Sequence, residues 1–191
     1  MRIETERLIL RPYEIEDAVA LFSIASDPNV GPHAGWKPHE SVEESEQVLR
    51  EILIPSGAFA VIEKAGGRLI GAIALEDDRY RPDANSRELG YWLVSDMWNR
   101  GLMTEAARAV MKYGFRIMGL SQIGICTAPD NVRSQAVIRK CGFVPEGRIR
   151  RTYKIYDGTL RDSMVYSITR EEYEEKYGKD DVRPEYDEPF S

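Results

Sequence analysis

The sequence predicts a single α/β domain built on a mixed, mostly antiparallel sheet. Its 191 residues suit one domain, and a composition of 42% apolar and 30% charged residues is typical of a globular protein. Strand-like and helical segments alternate in the order β-α-α-β-β-β-α-β-α-β-β. Strands that are neighbours in sequence favour antiparallel pairing, whereas the β-α-β step around residues 90–127 favours one parallel pair. We therefore expect about seven strands, with four helices packed on both faces of the sheet.

The N-terminal third predicts one strand and two helices. Residues 7–11 read as a strand, and apolar residues at helical spacing favour a helix over residues 14–26. The loop that follows carries three prolines. Ser41 with Glu44 three residues later matches a capping box, so the second helix starts there and ends at Pro55.

The remaining elements follow from periodicity and from turn residues. A long helix is predicted after a glycine-containing turn, and a second one begins at Asp130 or Asn131 and has Gly142 in the C′ position. Lys64 to Gly67 predict a hairpin. The predicted strands are residues 58–63, 68–76, 87–94, 122–127, 143–151 and 160–169, and the two helices are residues 103–118 and 131–141.

The net charge of −6 is concentrated at the C-terminal end. Residues 171–191 carry nine acidic and three basic side chains, so residues 1–170 are balanced. We divide the chain into a domain at residues 1–170 and an acidic tail at residues 171–191, which either frays in solvent or attracts a basic partner. The balanced body argues against a nucleic-acid-binding protein, since such proteins usually carry a basic patch.

Neither a membrane protein nor a metal site is expected. The longest apolar run, residues 69–75, is too short to cross a bilayer, and the charged N-terminal segment lacks the apolar core of a secretory signal. We therefore expect a cytoplasmic protein. Cys126 and Cys141 are interpreted as small core residues, and no metal-ligand cluster is visible around the two histidines, His33 and His39.

A candidate phosphate-binding segment follows the strand that ends at Val94. The chain turns through Trp98, Asn99, Arg100 and Gly101 into a long helix. The first turn of a helix has unpaired N–H groups and a partial positive charge, glycine allows close approach, and arginine adds a fixed charge. Taken alone, the segment fits an ordinary loop equally well.

Four blocks occur in order along the chain: residues 5–11, residues 35–39, residues 88–94 running into 98–106, and residues 131–134 followed by 140–143. Residues 157–162 and 166–167 complete the pattern. Together they resemble the GCN5-related N-acetyltransferase (GNAT) superfamily, and within it the branch that contains the ribosomal-protein N-terminal acetyltransferases. The resemblance covers about residues 3–168. It implies a GNAT-like fold and acetyl-CoA as co-substrate. Met103 departs from the pattern, because a small residue is usual at that place of the phosphate loop.

The resemblance also implies a position for each part of acetyl-CoA. The pantetheine arm would pair with a splayed strand like an added strand, and the N–H of Leu93 or its neighbour would polarise the thioester carbonyl. The strand residues are Tyr91, Trp92, Leu93 and Val94. The pyrophosphate would lie on Asn99, Arg100, Gly101, Leu102, Met103 and Thr104.

Two residues of the fourth block are implied to act on the opposite side of the cofactor. Asn131 would hydrogen-bond the pantetheine, and a plain helix N-cap is the alternative. Ser134 would protonate or hydrogen-bond the departing thiolate, and an inert surface hydroxyl is the alternative.

The reaction is attack of a neutral amine on a thioester, and a general base helps it. An α-amine has a pKa near 8, so about a tenth of it is neutral at pH 7. Glu88 is the candidate base, with an arginine partner as its alternative role, and Asp162 is a weaker candidate. His33, Trp36 and His39 belong to a loop that borders the acceptor site in this family. The basic run Arg148, Arg150, Arg151 and Lys154 is interpreted as a solvated strand edge or a contact for an acidic group.

We therefore expect an N-acetyltransferase that acts on a primary amine, most simply a protein N-terminal amine. The alternatives are acetylation of a polyamine, amino sugar or amino acid, and a non-catalytic acyl-CoA-binding domain on the same fold. The branch also favours a homodimer.

Overall fold

The protein folds around one eight-stranded sheet in a computed structural model that describes residues 1–81 and 85–178. The strands are Ile3–Glu4 (β1), Leu8–Pro12 (β2), Phe59–Glu63 (β3), Leu69–Asp77 (β4), Ser86–Leu93 (β5), Gln122–Thr127 (β6), Val144–Lys154 (β7) and Leu160–Thr169 (β8). Their order in the sheet is β1-β2-β3-β4-β5-β6-β8-β7. All neighbours pair antiparallel except β5 and β6, which are parallel. The predicted mixed sheet and its parallel step are confirmed, with one strand more than expected.

Six α-helices surround the sheet in the described part of the chain. They are Ala18–Ala25 (α1), Gly31–Ala34 (α2), Val42–Val48 (α3), Leu102–Arg116 (α4), Val132–Cys141 (α5) and Arg170–Tyr177 (α6). A 3-10 turn over Ile15–Asp17 precedes α1, and α3 continues as a π-helical segment over Leu49–Leu53. The four predicted helices therefore exist as α1, α3, α4 and α5.

Helix α6 continues the fold beyond residue 170, where we expected the tail to begin. Tyr173 is 2% exposed and packs against Phe115 with the ring centroids 4.7 Å apart, and Thr169 and Glu172 cap the helix reciprocally. The acidic composition concealed this helix because Tyr173 is its one buried residue. Residues 179–191 of the expected acidic tail lie outside the described residues.

Strand β4 shows that both faces of the sheet are covered. Successive strand residues point to opposite faces, yet all residues from Leu69 to Ala74 are buried. Helices α1 and α4 both contact this strand. The buried stripe of α4, which includes Ala107, Val110 and Met111, has the predicted helical spacing.

The predicted helix ends agree with the structure, and Cys141 lies in the core as expected, whereas Cys126 does not. Ser41 Oγ accepts the N–H of Glu44, and Gly142 ends α5 in the left-handed conformation at φ +86°. Cys141 is buried and Cys126 is half-buried. Burial raises the pKa of the Cys141 thiol to about 11 and that of Cys126 to about 12, so both stay protonated at neutral pH.

Gly71→Ala should destabilise the fold strongly. A Cβ at Gly71 would lie 2.4 Å from the Trp92 carbonyl oxygen on β5, and that backbone cannot retreat without disturbing the β4–β5 ladder. We expect urea denaturation to show a loss of about 2 to 3 kcal/mol in the free energy of unfolding. Gly66→Ala is the matched control, because its nearest neighbour is 3.9 Å away. Equal stability of the two variants would contradict the close packing of β4 on β5.

Candidate active site

The sheet opens where β5 leaves β6. The two strands pair only from Ser86 with Gln122 to Glu88 with Gly124. Beyond that point β5 continues along β4 as far as Leu93, and β6 continues along β8 as far as Thr127. A wedge therefore separates the second half of β5 from β6.

The open edge of β5 presents backbone groups to this wedge. Val94 donates its N–H to the Ile70 carbonyl on β4 at 2.9 Å. Alternate residues of an antiparallel strand face opposite neighbours, so the N–H and C=O groups of Leu93 and Tyr91 face the wedge. The Leu93 carbonyl accepts a hydrogen bond from Trp98 Nε1 at 2.8 Å. This edge can take an extended polar ligand as a strand would.

A cavity of about 550 Å³ occupies the wedge. A strand rises about 3.3 Å per residue, so Glu88 and Leu93 lie about 17 Å apart along it. Most of the residues that the sequence proposed for a site line this one cavity. They are Trp36, Glu88, Tyr91, Trp92, Leu93, Asn99, Gly101, Leu102, Met103, Thr104, Asn131, Ser134 and Asp162.

Three proposed residues have side chains that do not line the cavity. Val94 is buried in the core, and His39 Nδ1 lies 2.7 Å from Ser45 Oγ. Arg100 Nη1 lies 2.7 Å from the sulfur of Met97. The side chain of His33 lies outside the described residues, although its backbone belongs to α2.

The start of α4 has the features of an anion site. Gly101 precedes the helix at φ +77°, and Asn99 also has a positive φ of 60°. Among the described residues no side chain caps α4, and the same is true of α1 and α2, whereas α3, α5 and α6 are capped by Ser41, Asn131 and Thr169. The first backbone N–H groups of α4 have no acceptor within the helix and remain available to a ligand.

Met103 fits this helix start in spite of its size. Its side chain is 6% exposed and belongs to the hydrophobic core, while its backbone remains in the first turn. Backbone donors are independent of side-chain type, so the departure from the usual small residue does not remove the N–H groups of the first turn.

Glu105 adds a contact that sequence reasoning missed. A carboxylate in the first turn of α4 would repel an anion, but here it accepts hydrogen bonds from Thr5 Oγ1 at 2.5 Å and from Arg7 Nε at 2.7 Å. Burial acts to raise the pKa of Glu105, but the bonds from Thr5 and Arg7 outweigh it and hold that pKa below its usual value. Arg7 also donates to the Arg100 carbonyl at 2.9 Å. Thr5 and Arg7, which belong to the first of the four sequence blocks (residues 5–11), therefore stabilise the start of α4.

Helix α5 forms the opposite side of the wedge, and there the hydroxyl of its Ser134 meets the hydroxyl of Tyr91 on β5. Asn131 Oδ1 accepts the N–H of Ser134 at 3.1 Å, so Asn131 does cap α5. This cap uses only the carbonyl oxygen of the side-chain amide. The hydroxyl of Tyr91 lies 3.0 Å from Ser134 Oγ, and burial raises the pKa of Tyr91. Strand β5 and helix α5 therefore meet through these two side chains.

Glu88 is a buried carboxylate with a cationic partner. It is 7% exposed, and its Oε2 accepts a hydrogen bond from Arg79 Nε at 2.8 Å. Burial raises the pKa of Glu88, and the opposing effect of Arg79 does not cancel it. Arg79 in turn lies over the Tyr153 ring, with 5.4 Å between the guanidinium carbon and the ring centroid. A carboxylate in this environment binds a proton more readily than an exposed one.

Asp162 lines the same cavity but has a different environment. It accepts hydrogen bonds from the Arg151 N–H and from Arg148 Nε, both at 2.8 Å, and these lower its pKa. Such a carboxylate is a weaker base than Glu88. The other members of the basic run, Arg150 and Lys154, are exposed on β7 at the edge of the sheet.

The segment that leads to Trp36 is held over the cavity by side chains of β7 and β8. Tyr153 donates to the Ala34 carbonyl and Arg161 donates to the Pro32 carbonyl, each at 3.0 Å. Trp36 packs edge-on against Trp92 with centroids 6.1 Å apart. The loop over α2 therefore forms one wall of the cavity.

A sequence profile described as "Acetyltransferase (GNAT) domain" matches residues 7–144. The chain belongs to the GNAT acetyltransferase family. GNAT enzymes use acetyl-CoA as co-substrate, so this protein is an acetyl-CoA-dependent acyltransferase.

Relatives and solved structures agree with this assignment. The chain is 34% identical over 183 residues to the Bacillus subtilis protein "Uncharacterized N-acetyltransferase YoaA", a match covering 88% of this chain and 96% of the relative. It is 28% identical over 180 residues to the B. subtilis "Putative ribosomal N-acetyltransferase YdaF", with 88% and 94% covered. The crystal structure of a Bacillus anthracis GNAT-family acetyltransferase superposes with a TM-score of 0.78 at 27% identity, covering 90% of this chain and 99% of that one.

Within residues 1–81 and 85–178, no group of three or more potential ligand side chains could hold a metal ion. In the same ranges no helix is both long and apolar enough to cross a membrane. The open edge of β5 and the uncapped start of α4 suit the pantetheine and pyrophosphate of the co-substrate.

Proposed function

We propose that the protein transfers the acetyl group of acetyl-CoA to the α-amine of a protein N-terminus. The observation that carries this proposal is a cavity that joins an uncapped helix start and an open strand edge to one buried carboxylate, Glu88. The acetyl group would lie near Leu93, and the amine would approach from the side of Glu88.

Acetyl-CoA binding rests mainly on backbone groups. The pantetheine pairs with the open edge from Tyr91 through Trp92 and Leu93 to Val94, and Asn131 contributes its amide from the opposite side. The pyrophosphate takes the free N–H groups at the start of α4. The residues assigned to it are Asn99, Arg100, Gly101, Leu102, Met103 and Thr104, of which Arg100 contributes through its backbone.

The Leu93 N–H is the oxyanion donor. It faces the wedge by strand alternation, as derived from the bond between Val94 and Ile70. A fixed backbone donor at this place stabilises the negative charge that develops on the thioester oxygen during attack. Holding the amine and the thioester in line supplies most of the remaining rate enhancement.

Glu88 accepts the proton of the attacking amine through water molecules in the cavity, since about 17 Å of strand separates Glu88 from Leu93. Its raised pKa makes it a better base than an exposed carboxylate, and Arg79 keeps it oriented. An α-amine with a pKa near 8 needs only this moderate assistance, whereas a lysine amine with a pKa near 10.4 needs more.

The charges around Glu88 favour a singly charged acceptor over a polyamine. The charged side chains that line the cavity are Glu76, Glu88, Asp162, Arg79, Arg133, Lys140 and Arg161. Two of these carboxylates are already paired, Glu88 with Arg79 and Asp162 with Arg148. A polyamine would gain little from paired carboxylates. The name of YdaF, which refers to ribosomal N-acetyltransferase activity, supports the same choice.

Acceptor choice is tested by release of the CoA thiol in the presence of different amines. We expect kcat/KM for peptides with a free N-terminus to exceed that for spermidine, glucosamine and free amino acids by at least about tenfold. The peptide used should contain a lysine. The matched control is that peptide with its N-terminus acetylated, so that only the lysine amine is free, and it should be a poor substrate. Faster turnover of spermidine or an amino sugar would contradict the proposed acceptor. Acetyl-CoA binding with no thiol release for any amine would indicate a non-catalytic domain.

A further inference from the structure

The hydroxyl groups of Tyr91 and Ser134 meet across the wedge. Tyr91 lies on β5 beyond the last residue paired with β6, and Ser134 lies in the first turns of α5. Their oxygens are 3.0 Å apart, and both residues line the cavity. The Tyr91 ring also packs against the core, which restricts its hydroxyl to this position.

The 3.0 Å distance allows either hydroxyl to donate, and acidity favours Tyr91, because a phenol is a stronger acid than an aliphatic alcohol and therefore the better donor. Tyr91 has one hydroxyl proton and two acceptors within reach, Ser134 Oγ at 3.0 Å and the Ser134 carbonyl oxygen at 3.4 Å. Hydrogen bonds between oxygens are usually 2.5 to about 3.0 Å long, so the proton goes to Oγ. The Ser134 proton must then point away from Tyr91.

The structure assigns Tyr91 as the positioning residue for Ser134: its phenol donates to Ser134 Oγ and thereby directs the serine O–H toward the leaving sulfur. This assignment rests on the acetyl transfer proposed above. It gives Tyr91 a side-chain role in addition to the backbone role of its strand. Without the phenol, a serine hydroxyl in a helix commonly turns back to a backbone carbonyl one turn earlier.

The chemistry balances without proton transfer by Tyr91. The amine nitrogen forms a bond to the acetyl carbon, the carbon–sulfur bond breaks, and the amine proton goes to Glu88. Ser134 stabilises the departing thiolate by donating a hydrogen bond, and the thiolate gains its proton from solvent as Glu88 releases one. Tyr91 remains protonated throughout, because burial raises its pKa.

The test is a double-mutant cycle of Tyr91→Phe and Ser134→Ala, assayed with whichever primary amine is turned over, so that the outcome does not depend on the acceptor class. We expect Tyr91→Phe to lower kcat about tenfold, the effect of losing one such hydrogen bond, with the Kd of acetyl-CoA changed less than about twofold. In the Ser134→Ala background the same change should lower kcat by less than about twofold.

Tyr13→Phe is the matched control for the loss of a buried phenol. Tyr13 donates to the Gly71 carbonyl at 3.1 Å and lies outside the cavity, so its removal should affect the thermal midpoint and leave kcat unchanged. An unchanged kcat in Tyr91→Phe would overturn the assignment. A tenfold loss that persists in the Ser134→Ala background would overturn it too, since Tyr91 would then act independently of Ser134.

Discussion

Gly101→Asp should raise the Kd of acetyl-CoA about a hundredfold or more. The new carboxylate would stand at the uncapped start of α4, where the pyrophosphate is proposed to bind. Two like charges about 4 Å apart near a protein surface repel by about 4 kcal/mol, and a hundredfold change in Kd needs about 2.7 kcal/mol. Calorimetric titration with acetyl-CoA measures this directly.

Gly101→Asn separates charge from shape in this experiment. Asparagine has nearly the same size as aspartate, and both tolerate a positive φ better than most residues, which matters at φ +77°. A Cβ here meets its nearest neighbour, Arg7 Nη2, at 3.6 Å, which is ordinary contact. We expect the asparagine variant to bind acetyl-CoA at least about tenfold more tightly than the aspartate variant. If Gly101→Asp binds acetyl-CoA with unchanged affinity, the pyrophosphate does not bind at the start of α4.

Glu88→Gln should lower kcat by about two orders of magnitude, the usual contribution of a general base. Glutamine keeps the shape of the side chain and can still accept the hydrogen bond of Arg79 through its carbonyl oxygen. The Kd of acetyl-CoA should stay nearly constant, because Glu88 lies about 17 Å along the strand from Leu93. Steady-state kinetics together with binding measurements check both statements.

The pH profile provides a second test of Glu88. The carboxylate is the active form, so activity is lost as the pH falls through the pKa of Glu88, which burial raises above its ordinary value of 4.5. The pH profile of kcat/KM for the wild type should show this limb above pH 4.5, in addition to the limb of the amine, whose pKa is about 8. Glu88→Gln should retain only the limb of the amine.

Asp77→Asn is the matched control for the loss of one carboxylate. Asp77 is on the neighbouring strand, its side chain is fully exposed, and it does not line the cavity. It should keep both the wild-type kcat and the wild-type pH profile. A Glu88→Gln enzyme with normal turnover would mean that catalysis relies on positioning alone.

The regular elements could be predicted because their signals are local. The spacing of apolar residues located α4, Asn131 and Gly142 marked the ends of α5, and the turn at Lys64 separated β3 from β4. Elements that consist of very few residues, such as β1 and α2, carry too little periodic signal to be predicted. Helix α6 carries one buried residue, Tyr173, in an acidic segment, so its composition misled the prediction.

The contacts within the candidate site could not be predicted in the same way. Arg79 lies in the loop after β4, and nothing in the sequence pairs it with Glu88. Tyr91 and Ser134 were both singled out, but for separate roles, and only the structure places their hydroxyl groups 3.0 Å apart. The first sequence block, residues 5–11, was noted in the sequence but was given no role in the site. The structure shows that Thr5 in this block contacts Glu105 at the start of α4.

The sequence by itself determined the fold class, the succession of strand, glycine turn and helix at residues 86–116, and the resemblance to the GNAT superfamily. Those depend on residues that are close together along the chain. Only the tertiary structure decided where β5 separates from β6 and which side chains face each other across the wedge. The reason is physical: contacts between residues about a hundred positions apart, such as Thr5 with Glu105, follow from strand order and packing, which local periodicity does not encode.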